Sequence, residues 1–397
     1  MKPILTSVWM LGATLAGVAG LLVCSPFDSA RGVLEKMFAA GPAWAQVHSV
    51  YIDPATQEVS HGENPAHSLE ILRTTWSDTS KERIVFVGNS QMFYVSLAPG
   101  EPAPAGVEKT YPDIVADRYS ENAKCYRLAA PGMSYSEALW YATLLNHSPK
   151  LHPNAIVLQL NYQSFWNGGV RDGMLEMLDE PAFKAAVEEL AGANQPYSDD
   201  FADALRRYAK RSEREQAARK ADQTKPNLAG PVLANSFEST VRGALESTAL
   251  WRERQRHRGG FFDLLYSSRI YLLRVNPTTA RSITGTRLQR SQASLKAIAQ
   301  MCNASGIRLF VFNAPVNPQV SLYQTAADLD RYRQFLGELK NDYHVAESDL
   351  EHAIPAHLWG TWMNGPDPLH LGREAHRRMA ALMVQFLDSG LQGKLGG

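Results

Sequence analysis

Three residues of this 397-residue chain have the types that serine-based acyl chemistry needs. Ser90 sits in "RIVFVGNSQMFY", directly after an apolar run, and Asp367 and His370 lie three apart in "NGPDPLHLGREAH" near the other end of the chain. A serine hydroxyl is a weak nucleophile at neutral pH. An imidazole that takes its proton activates it, and a carboxylate fixes the imidazole tautomer and stabilises the cation that forms. Taken singly, each residue has a plainer reading. Ser90 suits a helix N-cap after a strand, Asp367 a cap for the last helix, and His370 a surface loop. Pro366 and Pro368 disfavour a regular helix, so the Asp-x-x-His segment is predicted as a loop ahead of the closing helix.

Elements at opposite ends of the sequence must meet for this chemistry to work. From Lys81 onward, short apolar runs alternate with helical patterns. The runs are Ile84–Val87, Tyr126–Ala129, Ile156–Leu160 and Ile307–Phe312, with "YHVAESD" as a fifth. Near-continuous apolar runs fit parallel strands buried on both faces. Helices are predicted at "SEALWYATLLNH", capped by Ser134 or Ser136, at "SLKAIAQMCNASG", stopped near Gly306, and at "REAHRRMAALMVQFL". In the last, Ala375, Met379, Leu382, Met383, Phe386 and Leu387 repeat at helical spacing and should face the sheet. The alternation predicts an α/β fold, a flavodoxin-like doubly wound parallel sheet between two helical layers. Each run ends in small or polar residues: Gly88-Asn89-Ser90, Ala130-Pro131-Gly132, Asn161-Tyr162 and Asn313-Ala314-Pro315. Open parallel sheets bind ligands beyond the carboxyl ends of their strands, so four segments should converge there.

These blocks, in this order, resemble those of the SGNH/GDSL superfamily of esterases and acyl-ester-handling enzymes. Gly88-Asn89-Ser90 is similar to its Gly-Asp-Ser block, and "YPDIVADRY" (Tyr111 to Tyr119) to the helix that follows. Gly132 matches the glycine of the second block, Asn161 the asparagine of the third, and Asp367 with His370 the closing Asp-x-x-His. The resemblance covers residues 81–169 and 300–388. It implies Ser90 as nucleophile, His370 as general base and Asp367 as its orienting carboxylate. It also implies an oxyanion hole from the backbone N–H groups of Ser90 and Gly132 and the side-chain amide of Asn161. Asn89 stands in place of the usual aspartate, and "QLNYQ" lacks the glycine and second acidic residue of the third block. Such departures resemble the membrane-anchored members that O-acylate cell-envelope polysaccharides beside a membrane-bound O-acyltransferase.

The remaining segments divide the chain. Residues 1–27 hold an uncharged apolar run from Pro3 to Phe27, long enough to span a bilayer as a helix. The expectation is an uncleaved transmembrane anchor. A removed signal peptide ("AWAQ") and a lipoprotein ("LLVC", ending at Cys24) are the alternatives. All three put the rest of the chain outside the cytoplasm, in the periplasm or at the cell surface. Residues 28–80 read as a juxtamembrane spacer with a short helix at "ARGVLEKMF". Residues 81–169 and 275–390 form the two parts of the core. Residues 170–274 read as a mostly helical insertion, with four arginines between Arg252 and Arg258. That basic run suits a solvated helix face, or contact with phospholipid headgroups or an anionic glycan.

Composition narrows the function classes. Lys+Arg and Asp+Glu stand at 40 each, so no basic field points to nucleic acid. Three cysteines at Cys24, Cys125 and Cys302, without Cys/His ligand spacing, leave no structural metal or disulfide framework to expect. No GxxxxGK[ST] or GxGxxG is present, which argues against a nucleotide-binding flavodoxin-like protein. No cofactor is expected. His147, His152 and His376 read as structural, and Phe165, Trp166 and Trp362 as packing residues or as platforms for a sugar ring. The expected activity is O-acetylesterase or O-acyltransferase chemistry on an envelope glycan or lipid. The alternative is a non-catalytic polysaccharide-binding or scaffolding partner of the O-acyltransferase.

Overall fold

The computed structural model describes residues 50–52, 59–61, 81–96, 108–130, 132–223, 283, 285–320, 325–362 and 365–391. Two short strands, β1 (Val50–Ile52) and β2 (Val59–His61), pair antiparallel ahead of the core. Five strands then build one parallel sheet: β3 (Glu82–Gly88), β4 (Ala123–Ala129), β5 (Ala155–Leu160), β6 (Arg308–Asn313) and β7 (Ala346–Asp349). Each of the five predicted runs falls on one of them. Their order is β4-β3-β5-β6-β7. The chain moves outward from β3 to β4, then crosses back to place β5 on the other side of β3. That reversal is the topological switch point of an open α/β sheet, where a crevice opens beyond the strand ends.

Helices cover both faces of the sheet. They are α1 (Tyr111–Arg118), α2 (Tyr135–His147), α3 (Pro181–Gly192), α4 (Ser198–Gln223), α5 (Thr286–Ser305), α6 (Ala326–Tyr343) and α7 (Arg373–Leu391). Side chains alternate across a strand, so each strand feeds both layers. Ile84, Phe86, Val157, Phe310 and Phe312 pack toward Tyr111 and Val115 of α1 and Met379, Met383 and Leu387 of α7. Val85, Val87, Ile156, Leu158 and Val311 pack toward α2, α5 and α6. Burial on both faces is why these runs carry no polar alternation. The architecture is the expected three-layer α/β/α.

Local signals set the element ends. Ser134, not Ser136, caps α2: its Oγ accepts from Glu137 N, and the Glu137 carboxylate accepts from Ser134 N in return. Ser136 instead donates to Asp200. Gly306 ends α5 at φ +69°, a left-handed conformation that suits glycine.

The last block departs from expectation. The segment with Pro366 and Pro368 is not a loop but a strand, β9 (Gly365–Leu371), paired antiparallel with β8 (Trp359–Trp362). Proline is excluded from central strands because it cannot donate to the ladder. In a two-stranded ribbon every strand is an edge, so that cost is avoided.

The stretch after Val170 joins the core. Met174, Leu175, Phe183, Val187 and Phe201 belong to the same cluster as α2, and Trp140 of α2 packs edge-on to Phe183 at 5.1 Å between ring centroids. The basic run at Arg252–Arg258, the N-terminal apolar run and the "ARGVLEKMF" segment lie outside the described residues. Among the described residues no helix is long and apolar enough to cross a membrane.

Candidate active site

β3 delivers Ser90 to the sheet edge. Asn89 is extended (φ −103°, ψ −165°) and its Oδ1 accepts from Gln91 N, which starts a 3-10 turn over Ser90–Met92. Asn89 therefore acts as the cap, and Ser90 is left half-buried at the first position of the turn. From the far end of the chain, β9 brings His370 to the same place. Ser90 Oγ lies 3.0 Å from His370 Nε2, across 280 residues of sequence. On the other side of the ring, His370 Nδ1 lies 3.1 Å from Asp367 Oδ2 and 3.2 Å from Oδ1.

Asp367 is held tightly and is 1% exposed. Its Oδ1 accepts the backbone N–H groups of Leu369 and His370, both at 2.9 Å, and its Oδ2 accepts Ser96 Oγ at 3.0 Å. Burial alone would raise the carboxyl pKa, but the facing His370 and the backbone N–H groups of Leu369 and His370 outweigh it and hold Asp367 below its ordinary value. An ionised carboxylate only accepts, so the imidazole proton belongs on Nδ1. Nε2 is then an acceptor facing the Ser90 hydroxyl. This is the arrangement needed to draw a proton from serine.

The Tyr94 ring packs on His370 with centroids 4.4 Å apart. Behind it His376, fully buried, accepts Tyr111 N at Nδ1 and donates from Nε2 to Tyr94 O. His376 is thus part of the scaffold, as read from the sequence. Ser96 and Tyr94 were not singled out in the sequence. Their signal is only proximity to Ser90, because their partners lie far along the chain.

Gly132 and Asn161 sit in the turns after β4 and β5, at the same sheet edge as Ser90. Gly132 is exposed with φ +58°, which excludes most other residues, and Asn167 Nδ2 donates to its carbonyl at 2.7 Å. Asn161 Oδ1 accepts from Gln163 N at 2.8 Å, and its Nδ2 has no hydrogen-bond partner among the described residues. The Tyr135 hydroxyl pins the Asn161 backbone, donating to its O and accepting from its N at 2.9 Å each. Among the described residues neither Gly132 nor Asn161 hydrogen-bonds to Ser90 or His370. A small cavity of about 20 Å³ beside Asn161 is lined by Gln163, Asn313, Tyr332, Glu351 and Leu369. Phe165 is 1% exposed and packs edge-on to Tyr135, so it is a core residue and not a platform for a sugar ring. The Trp362 side chain lies outside the described residues.

No family model and no curated protein matches the chain. Solved structures do. An acetylxylan esterase from Geobacillus stearothermophilus is similar at 9% identity and a TM-score of 0.37, over 80% of this chain and 95% of its own. A carbohydrate acetylesterase family member from Sinorhizobium meliloti is similar at 11% identity and a TM-score of 0.31, over 80% of this chain and 100% of its own. A Lactobacillus plantarum protein is similar at 11% identity and a TM-score of 0.35, over 79% of this chain and 99% of its own.

Proposed function

We propose that the chain is a serine-dependent acyl-ester enzyme of the SGNH type. The observation that carries this reading is the hydrogen-bonded series Ser90 Oγ, His370 Nε2, His370 Nδ1, Asp367. In this mechanism Ser90 Oγ attacks the ester carbonyl carbon while His370 Nε2 takes its proton. The carbonyl oxygen becomes an oxyanion. Collapse of the tetrahedral intermediate breaks the ester C–O bond, and the proton on Nε2 passes to the departing alkoxide. The acyl group is left on Ser90. A water molecule then completes hydrolysis, or an acceptor hydroxyl completes transfer, with His370 again acting as the base.

The oxyanion receives hydrogen bonds from the N–H groups of Ser90 and Gly132 and from Asn161 Nδ2. In support, none of these three donors is used by another described residue. Asp367 keeps its charge and offsets the imidazolium that forms. The substrate is an acylated glycan or lipid of the cell envelope, with the chain held at the membrane by residues 1–27 and working beside a membrane-bound O-acyltransferase. This part of the reading rests on the sequence resemblance and the apolar N-terminus.

The test is release of p-nitrophenol from its acetate ester by the full chain in detergent, with covalent labelling by a fluorophosphonate. Ser90→Ala should lose both. Full activity in that variant overturns the assignment. Glycan binding without labelling selects the non-catalytic partner. Adding an oligosaccharide acceptor and following acetyl-sugar against free acetate separates transfer from hydrolysis.

A further inference from the structure

We propose that Gln91 and Gln159 are positioning residues whose paired amides set the approach of Ser90 to His370. The proposal rests on the reading of Ser90 and His370 as nucleophile and base. Both glutamines are buried, at 1% and 3% exposure. Gln91 directly follows Gly88-Asn89-Ser90, and Gln159 stands where the third block usually carries its glycine, so the resemblance gives neither a role. The bonds run in one direction. Asn89 N donates to Gln159 Oε1 at 2.9 Å, Gln159 Nε2 donates to Gln91 Oε1 at 2.7 Å, and Gln91 Nε2 donates to Leu369 O at 2.6 Å and Pro315 O at 2.9 Å. Both hydrogens of Gln91 Nε2 and one of Gln159 Nε2 meet carbonyl oxygens, so neither amide can flip without facing like against like.

What the chain joins gives it its role. It begins at Asn89 and passes through Gln91, the two neighbours of Ser90. It ends at Leu369, the neighbour of His370. On the way it ties the turn after β3 to the end of β5, the turn after β6 and β9. Gly88 makes room for it: a Cβ there would lie 2.5 Å from Gln159 Oε1 and 2.8 Å from Gln159 Cβ. Hydrogen bonds are stronger in the low dielectric of a buried site, so a series of them rigidifies the segments it joins. The segments that carry the proposed catalytic pair are thus bolted together by side chains that make no hydrogen bond to Ser90 Oγ or to the His370 ring.

The experiment uses the full-length chain with Gln91→Glu and Gln159→Glu, which keep the side-chain size. Gln91→Glu loses both donors and sets a carboxylate against two carbonyls. Gln159→Glu keeps the acceptor for Asn89 N–H and loses the donor to Gln91. The expected result is a fall in kcat for p-nitrophenyl acetate of about 100-fold, the effect of a misplacement near 1 Å, with KM within about threefold. In parallel, the ¹⁵N signal of His370 Nε2 should move toward its position in Ser90→Ala. Wild-type kcat and an unmoved Nε2 signal in both variants overturn the proposal. If the wild-type chain is neither active nor labelled at Ser90, the catalytic reading falls, and the Nε2 signal alone then decides the positioning. If Gln91→Glu fails to fold, Gln159→Glu carries the test. Collapse of both overturns a positioning role in favour of plain support of the fold.

Discussion

Ser96 Oγ donates to Asp367 Oδ2 at 3.0 Å, so the carboxylate that faces His370 is also gripped by the strand-end segment that carries Ser90. The backbone makes the same connection, with Ser96 N donating to Leu371 O at 2.9 Å. Six residues after the candidate nucleophile, the chain has laid Tyr94 against the imidazole and Ser96 against its carboxylate. The first block of the sequence therefore builds part of the last.

Ser96→Ala should test that grip. A hydrogen bond to a charged acceptor contributes about 1.5–3 kcal/mol, and Ser96 is buried, so water does not replace it. We expect denaturant unfolding to register a loss of that size. If about 1.4 kcal/mol of it is also felt in the transition state, kcat falls about tenfold. Unchanged stability and rate would mean that the two backbone amides on Oδ1 suffice to hold Asp367.

Asn161→Ala separates the third block from the others. The Asx-type turn uses the Asn161 Oδ1 and not its Nδ2, and the Tyr135 hydroxyl holds that backbone whichever side chain is present. The fold should survive the change. Loss of one oxyanion donor typically lowers kcat by about 10²–10³-fold. Steady-state kinetics on the acetate ester should therefore report a kcat defect with little change in KM. A defect confined to KM removes Asn161 from the oxyanion hole.

The three central strands β3, β5 and β6 were legible in the sequence because they are covered on both faces. Ile84–Val87 is buried throughout and reads as an uninterrupted apolar run, and in Ile156–Leu160, also buried throughout, only Gln159 is polar. Ser90, His370 and Asp367 stood out as candidates because serine activation restricts the residue types it can use, and the structure brings the three side chains together. The supports were not. Gln91 and Leu369 are 278 residues apart, and Ser96 and Asp367 are 271 apart, so no local period links them. The prolines of the Asp367 segment rule out a helix and a central strand and so predict a loop, and a two-stranded ribbon is the case that this rule omits. In α4, abundant surface charge masks the face on which Phe201 and Ala204 join the core.

Gly88→Ala asks why this strand ends in glycine. Its backbone does not need a left-handed conformation, so the constraint is space. The new methyl would meet Gln159 Oε1 at 2.5 Å and Met92 Cε at 2.6 Å. Met92 can yield by changing rotamer, whereas Gln159 can yield only by releasing Asn89 N. Overpacking of this kind costs about 1–3 kcal/mol. Thermal unfolding should fall accordingly, and labelling of Ser90 by a fluorophosphonate should slow. A variant with wild-type melting and labelling would show that the Ser90 turn has slack that these distances do not suggest.

His376 makes the fold sensitive to mild acid. It is fully buried, and burial pushes its pKa from the ordinary 6.5 to about 4. Hydrogen bonding to Tyr94 O and the charge of Asp113 favour the protonated ring. Arg127 and His370 oppose it, and the N–H of Tyr111 points at the nitrogen that would have to be protonated. The folded value is depressed, so between pH 6.5 and 4 the unfolded chain takes up a proton that the folded chain refuses. Stability is whole above that window, falls as pH drops through it, and levels off below it, for a total of about 3 kcal/mol. Asp367 acts in a different range. Its pKa lies below the ordinary 3.8, so its contribution is present above that value and is lost only in stronger acid. Denaturation midpoints at pH 7.5, 5.5 and 4.5 should fall steadily for the wild-type chain. In His376→Gln, where a neutral amide replaces the ring, the fall across that window should be markedly shallower. Equal slopes would mean that the acid sensitivity arises elsewhere.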